Sequence, residues 1–287
     1  MNAVKNYLSL MRVKHYVKNV LVFIPLLFSR QLFQPGLFLR AFLGFLSFSM
    51  ASSAVYIIND IHDLEKDRCH PVKCKRPLAS GAINRKQAIL AAAVCIAASL
   101  GISFAAGKWQ GMLYILVYLA INVAYSRGLK DVPLIDVAIL AMGYLLRVMY
   151  GARITEITIS GWLYLTVFSG AFYMGLGKRR NELKNQGESG ETRAVLKNYT
   201  YGFLDRNMYV CLTLTDTFYA LWAMSRENRY LIWTVPVVML ILMRYSLDVE
   251  GSSDGDPVEV ILHDRILLVL AGIYGLSIFL ILYLATQ

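Results

Sequence analysis

Apolar runs of about 20 residues dominate this chain and limit what it can fold into. LFLRAFLGFLSFSMASSAVYII, residues 37–58, and ILLVLAGIYGLSIFLILYLA, residues 266–285, are two of them. As helices, such runs are long enough to cross about 30 Å of hydrocarbon. In lipid a lone segment must satisfy its own backbone hydrogen bonds, which a helix does. The whole chain is 57% hydrophobic and 17% charged, more apolar and less charged than soluble domains of ordinary composition. A soluble all-helical protein is the alternative, and it fits this clustering poorly.

Nine segments of this kind are predicted, near residues 16–33, 37–58, 87–106, 110–126, 132–151, 159–177, 207–225, 230–246 and 262–284. The expected fold class is therefore an all-α integral membrane protein forming one transmembrane catalytic domain over residues 1–287. The first segment follows a basic lead from Lys5 to Lys18, as a signal peptide would. No small-residue cleavage site follows VLVFIPLLFSRQLF, so it is read as a retained helix.

The formal net charge is +10, and most of the 29 Lys and Arg fall at the N-terminus and in the loops after the second, fourth, sixth and eighth segments. Basic loops mark the cytoplasmic side. The expected location is the inner or plasma membrane, multi-pass, with a cytoplasmic N-terminus and active-site loops and an extracytoplasmic C-terminus. Charge placed beside membrane helices argues against a nucleic-acid partner. Cys69 and Cys74 lie near His62 and His70, but their spacing matches no closed zinc site.

The stretch NDIHDLEKD, residues 59–67, sets Asp60, Asp63 and Asp67 within about a 60° arc of a continued helix, with Asn59 extending that face. On a straight helix one ion bridges Asp60 and Asp63, whereas reaching Asp67 takes a second ion or a group as long as a diphosphate. Carboxylates around a partly hydrated ion whose shell substrate phosphates complete describe Mg²⁺. HPVKCKRPLASG follows, bringing Lys73, Lys75 and Arg76 beside the carboxylates, which makes a diphosphate site plausible. A solvated loop with Lys66 and Arg68 as partners is the plainer alternative.

NDIHDLEKD resembles the N-D-x-x-D-x-x-x-D signature of UbiA-type intramembrane prenyltransferases. The resemblance extends to YVKN, RPLASG and AYSRGLKDVPLIDV and covers almost the whole chain. It implies a UbiA-type bundle of nine transmembrane helices around a central cavity, with Mg²⁺ holding a diphosphate. Usual members carry a second Asp-rich motif after the sixth helix. Here GKRRNEL places Lys178, Arg179 and Arg180 there, and Glu182 is its acid. Cations suit a phosphate rather than a second metal.

With VKNVLVFIPLLFS, YSRGLK and GDPVEVILHDRILL, this departure resembles the decaprenyl-phosphate phosphoribosyltransferases. The resemblance implies transfer of 5-phosphoribose from phosphoribosyl diphosphate (PRPP) to a polyprenyl phosphate, with release of pyrophosphate and use in arabinose-containing wall polymers. Metal ligands would be Asp60, Asp63 and Asp67. Substrate contacts would come from Asn59, Lys18, Lys73, Arg76, Tyr125, Lys130, Lys178, Arg179 and Glu182. Glu182 has a second reading as a partner of Arg179, Lys18 as an interfacial lysine and Tyr125 as an aromatic-belt residue.

Polar residues deep in spans are further suspects: Asp136, Arg147 and Asp216, the last two also readable as a structural pair. Asp256, Glu259 and Asp264 match the family stretch without an assigned role, and Arg244 is a further candidate for phosphate. Two competing functions are an aromatic prenyltransferase of quinone or haem biosynthesis and a cation-coupled transporter. No internal repeat supports the transporter. Prenyl length and oligomeric state are not legible.

Overall fold

The computed structural model describes residues 2–184, 194–250, 260 and 263–284. Among these residues the chain is helical without strands. The helices are α1 (Asn2–Leu10), α2 (Ile24–Phe28), α3 (Pro35–His62), α4 (Leu64–Cys69), α5 (Arg85–Ser126), α6 (Ile135–Thr155), α7 (Gly161–Lys184), α8 (Tyr201–Met224), α9 (Val235–Glu250) and α10 (Arg265–Tyr283). Short 3₁₀ segments link several of them. Five stretches are long and apolar enough to cross a membrane by length and composition: Pro35–His62, Arg85–Gly107, Ile135–Thr155, Arg229–Glu250 and Arg265–Tyr283. The chain is a multi-pass membrane protein, and nine crossings is what the sequence predicts.

Two predicted spans take a different local form. The first is not one α-helix: residues Val13–Phe23 wind as a 3₁₀ helix and α2 then starts afresh, with Pro25 in its first turn. Proline lacks the N–H that would continue the preceding helix but fits the start of a new one. The third and fourth spans are joined, because helical geometry runs without interruption through α5. A Cβ built on Gly111 would stand 3.2 Å from the Ser103 carbonyl oxygen. Eight residues of straight helix rise about 12 Å, so α5 doubles back near Gly107 as a tight hairpin. Its two arms meet the same part of α3. Ser99 exchanges hydrogen bonds with Ser47, while Tyr118 packs 4.6 Å from Phe48, centroid to centroid.

The chain groups into two compact units. The first contains residues 1–128 and 146–158, the second 129–145 and 159–287, so α6 is divided between them. In the first unit small residues let helices approach closely, and hydroxyls bond across them. Ser53 donates to the Met11 carbonyl at 2.9 Å and pairs with Tyr16, and Asn19 donates to Ser49 at 3.0 Å. Gly44, Ala51, Ser52, Ser53 and Ala54 are all buried. At Gly151 an added Cβ would fall 2.0 Å from the Val22 carbonyl oxygen, so only glycine admits that crossing. In the second unit Val137, Tyr173, Leu176, Val195, Leu204, Met208, Tyr245 and Val249 form a buried core. The Tyr173 hydroxyl is tied within that core to Ser246 and donates to the Leu242 carbonyl.

Candidate active site

The acidic stretch lies at the end of α3, which stops at His62 because Asp63 leaves helical geometry before α4 begins. The i to i−4 pattern survives the break: Asp63 N–H donates to Asn59 and Asp67 N–H to Asp63, each at 2.9 Å. Seven residues are close to two helical turns, so Asp60 and Asp67 share a face. Asp60 and Asp67 are 3% and 5% exposed. Asp63, about a third exposed, lies beside the His62 ring at 3.1 Å.

Arginine answers both buried carboxylates. Arg76 Nη1 donates to Asp67 Oδ2 at 2.6 Å and to Asp60 Oδ1 at 3.2 Å, and Arg12 Nη2 donates to the same Asp60 oxygen at 2.5 Å. This corrects the straight-helix expectation that no single cation reaches both ends of the cluster. Arg76 Nη1 lies between the two carboxylates and reaches both. Arg12 is the residue that sequence reasoning missed. It lay in a run of basic residues with nothing to distinguish it, and the contact spans 48 positions.

The loop that carries Arg76 is pinned from below. Leu78 and Ile83 are buried with Ala54 and Ile57 of α3 and Ala88, Ala92 and Cys95 of α5. The Ile83 N–H returns to the Pro77 carbonyl at 3.0 Å, and Gly81 takes φ +79° to close the turn. That left-handed conformation suits glycine. Asn84 and Gln87 then form a reciprocal capping box that starts α5. Asn59 accepts a hydrogen bond from Ser126, tying the end of α3 to the end of α5. Lys73 and Lys18 are half-buried in this unit, and Tyr125 is half-buried in the last turn of α5. Nδ1 of His70 accepts from the N–H groups of Val72 and Lys73, so that nitrogen serves the turn. Among the described residues no three His, Cys, Asp or Glu side chains cluster as a metal cage.

Arg147 belongs to the same unit and is buried. It donates to Asn19 Oδ1 at 2.7 Å, and its guanidinium lies 4.8 Å from the Phe48 ring and 5.3 Å from that of Tyr118. Cation–π contact of this kind offsets part of the cost of burying the charge.

The second unit holds the other cations. Arg179 is fully buried; its Nε donates to Asp136 Oδ2 at 2.5 Å and its Nη1 to Glu182 at 2.7 Å. Of the two readings of Glu182, the structure contains the pairing with Arg179. Tyr199 donates to the other Asp136 oxygen at 2.7 Å and accepts from the Leu134 N–H at 2.6 Å. Burial and the Asp136 carboxylate push its phenol up to about 12. Arg180 is placed between Glu250 and Asp205, each at 2.9 Å, and stacks on Tyr201. Lys178 and Lys130 are half-buried. Asp216 in α8 has one buried oxygen without a hydrogen-bond partner. Arg244 pairs with Asp264, which also caps α10 through the N–H groups of Ile266 and Leu267. Those backbone bonds and Arg244 hold the Asp264 carboxyl down at about 2. Asp256 and Glu259 lie outside the described residues.

The donor chemistry fits a hard divalent ion. Two buried carboxylates converge on one point, and Mg²⁺ needs only one or two carboxylates when water and phosphate complete its shell. Asp60 and Asp67, with Asp63 adjacent, are the residues that would hold it.

Known proteins place this geometry in context. The model of the UbiA prenyltransferase family matches residues 20–263. A decaprenyl-phosphate phosphoribosyltransferase of Mycobacterium tuberculosis is 33% identical over 283 residues, covering 94% of this chain and 92% of the relative. That of Corynebacterium glutamicum is 33% identical over 294 residues, covering 99% and 88%. A UbiA homologue from Archaeoglobus fulgidus bound to GPP and Mg²⁺ superposes with a TM-score of 0.75 at 19% identity, covering 96% of this chain and 99% of the homologue. The same homologue is also known bound to Cd²⁺, with a TM-score of 0.72. At that identity the likeness concerns the fold, whereas the family match and the 33% relatives span nearly the whole sequence. The chain belongs to the UbiA prenyltransferase family and is a transferase of the membrane.

Proposed function

We propose that this transferase moves 5-phosphoribose from PRPP to a polyprenyl phosphate and releases pyrophosphate. The observation that carries the reading is the convergence of Asp60 and Asp67, two buried carboxylates from one helix end, on a single cationic atom. The names of the relatives support the sugar donor and the lipid acceptor. Lys178 of the GKRRNEL stretch supports phosphate binding where a second acidic motif would otherwise stand, while Arg179 and Arg180 pair with Asp136, Glu182, Glu250 and Asp205.

Mg²⁺ bound at Asp60, Asp67 and Asp63 would supply Lewis-acid neutralisation of the leaving diphosphate. Asn59, tied to Ser126 at the end of α5, is proposed as a substrate contact beside the carboxylates. Lys18, Lys73, Arg76 and Tyr125 in the first unit are proposed as phosphate or substrate contacts, and in the second unit Lys130 likewise and Lys178 as a ligand of a substrate phosphate. Arg179 orients Glu182, leaving that carboxylate positioned for a hydroxyl. Several anionic groups take part in the reaction, and fixed cations offset their repulsion. The acceptor phosphate is already an anion near neutral pH, so its attack on C1, with inversion, needs little general-base help. The N-terminus and the acidic helix end are cytoplasmic in this proposal, and the lipid product would feed arabinose-containing wall polymers.

The test supplies purified protein with a polyprenyl phosphate and either PRPP or a prenyl diphosphate, with products read by mass spectrometry. PRPP consumption with pyrophosphate release is expected, abolished by a chelator. Asp60→Asn should lower turnover by roughly 10²–10³. Consumption of prenyl diphosphate with PRPP untouched would instead make the chain an aromatic or related prenyltransferase.

A further inference from the structure

Arg76 occupies the point that a metal would need. Its Nη1 lies 2.6 Å from Asp67 Oδ2 and 3.2 Å from Asp60 Oδ1, and Asp60 Oδ1 also accepts from Arg12. A guanidinium N–H and a divalent ion use the same carboxylate lone pairs. Mg²⁺ bonds oxygen at 2.0–2.1 Å, and a double charge at that range repels a guanidinium still in place. The two therefore compete for the oxygens that face Arg76, Asp67 Oδ2 and Asp60 Oδ1. Arg76 is about a third exposed while its two carboxylates are almost fully buried, so the arginine is the partner with room to move. The pinned loop, anchored by Leu78 and Ile83, keeps it beside the site after it leaves.

We propose that Arg76 is a displaceable counter-ion of the Asp60–Asp67 pair, so that a divalent ion binds tightly only together with a diphosphate, which takes the released guanidinium. This inference rests on the metal–diphosphate reading above. Ion binding alone must strip Arg76 from two carboxylates and leave its charge unmatched. Binding with a diphosphate gives the arginine a new anion, and a forked guanidinium suits phosphate oxygens. The coupling is reciprocal: the ion strengthens diphosphate binding by the same factor.

The test is a Mn²⁺ titration of the purified full-length protein, read by loss of the free-ion electron paramagnetic resonance signal. It is run with and without inorganic pyrophosphate, and ion bound by pyrophosphate in buffer is subtracted. Wild type should bind Mn²⁺ roughly tenfold or more tightly when pyrophosphate is present. Arg76→Met should bind Mn²⁺ roughly tenfold more tightly than wild type without pyrophosphate, since the cation that bridges both carboxylates is gone and Arg12 remains on Asp60 alone, and should lose most of the gain from pyrophosphate. Loss of the pyrophosphate gain is the specific readout, because removing a nearby positive charge tightens Mn²⁺ binding by itself but does not abolish the coupling between ion and pyrophosphate. Equal wild-type affinities with and without pyrophosphate overturn the inference, and so does unchanged or weaker Mn²⁺ binding by Arg76→Met. Because the wild-type comparison needs no variant, equal affinities there overturn the inference even where Arg76→Met does not fold. Asp60→Asn separates two kinds of failure. If it abolishes Mn²⁺ binding while Arg76→Met changes nothing, the site stands and the counter-ion role falls. If Asp60→Asn leaves Mn²⁺ binding intact, the site itself is wrong.

Discussion

Arg12 holds a left-handed backbone, φ 51°, at the junction between α1 and the 3₁₀ helix that follows. A non-glycine residue there costs about 1–2 kcal/mol. The same residue places its guanidinium on Asp60 and 4.8 Å from the Tyr56 ring. Asp136 and Arg179 make a different kind of pair, with both side chains at 0% exposure. Losing one partner of such a pair weakens the compensation of the other buried charge, at a cost of up to about 3–5 kcal/mol. Asp136→Asn should therefore lower the thermal unfolding midpoint of the detergent-solubilised protein clearly. Asp136→Leu combined with Arg179→Met should recover much of the loss, because the under-compensated charge is gone. A midpoint unchanged in Asp136→Asn would remove the pair from the stability of the second unit. The spacing of these residues, 43 positions apart, held no hint of the contact; the sequence placed Asp136 in a span and Arg179 in a basic motif.

At the level of helices, close packing in the first unit depends on residues without bulk. Gly151 lets α6 pass directly over the Val22 carbonyl. Gly151→Ala forces backbone apart, since the obstructing atom belongs to the main chain and cannot rotate away. Overpacking of this sort costs about 1–3 kcal/mol. A corresponding fall in thermal stability is expected, and wild-type stability for Gly151→Ala would show that the crossing has slack. The α5 hairpin follows the same logic. The sequence separated its arms correctly as two apolar runs, 87–106 and 110–126. It did not show that the turn between them keeps helical geometry, because that depends on Gly111 lying against Ser103.

For the molecule as a whole, the asymmetry of Lys and Arg predicts which side of the membrane each loop occupies. Cys69 is exposed at the end of α4, whereas Cys95 is buried within α5. A membrane-impermeant maleimide should label Cys69 in inverted membrane vesicles and not in intact cells or spheroplasts. Labelling from the outside would reverse the topology and place the acidic helix end on the extracytoplasmic side.

The membrane class, the positions of most helices and the acidic stretch at the end of α3 were legible in the sequence. Apolar run length and charge asymmetry act through hydrophobic transfer, which depends on composition more than on partners. The spacing of Asp60 and Asp67 fixes a shared helix face in any helical chain. Tertiary structure alone decided which cations meet those carboxylates. Arg12 and Arg76 reach Asp60 from opposite directions along the sequence, by a strained junction and by a loop whose leucine and isoleucine are packed beneath it. An ion pair between distant positions follows from packing geometry, and no local pattern of residue types encodes it.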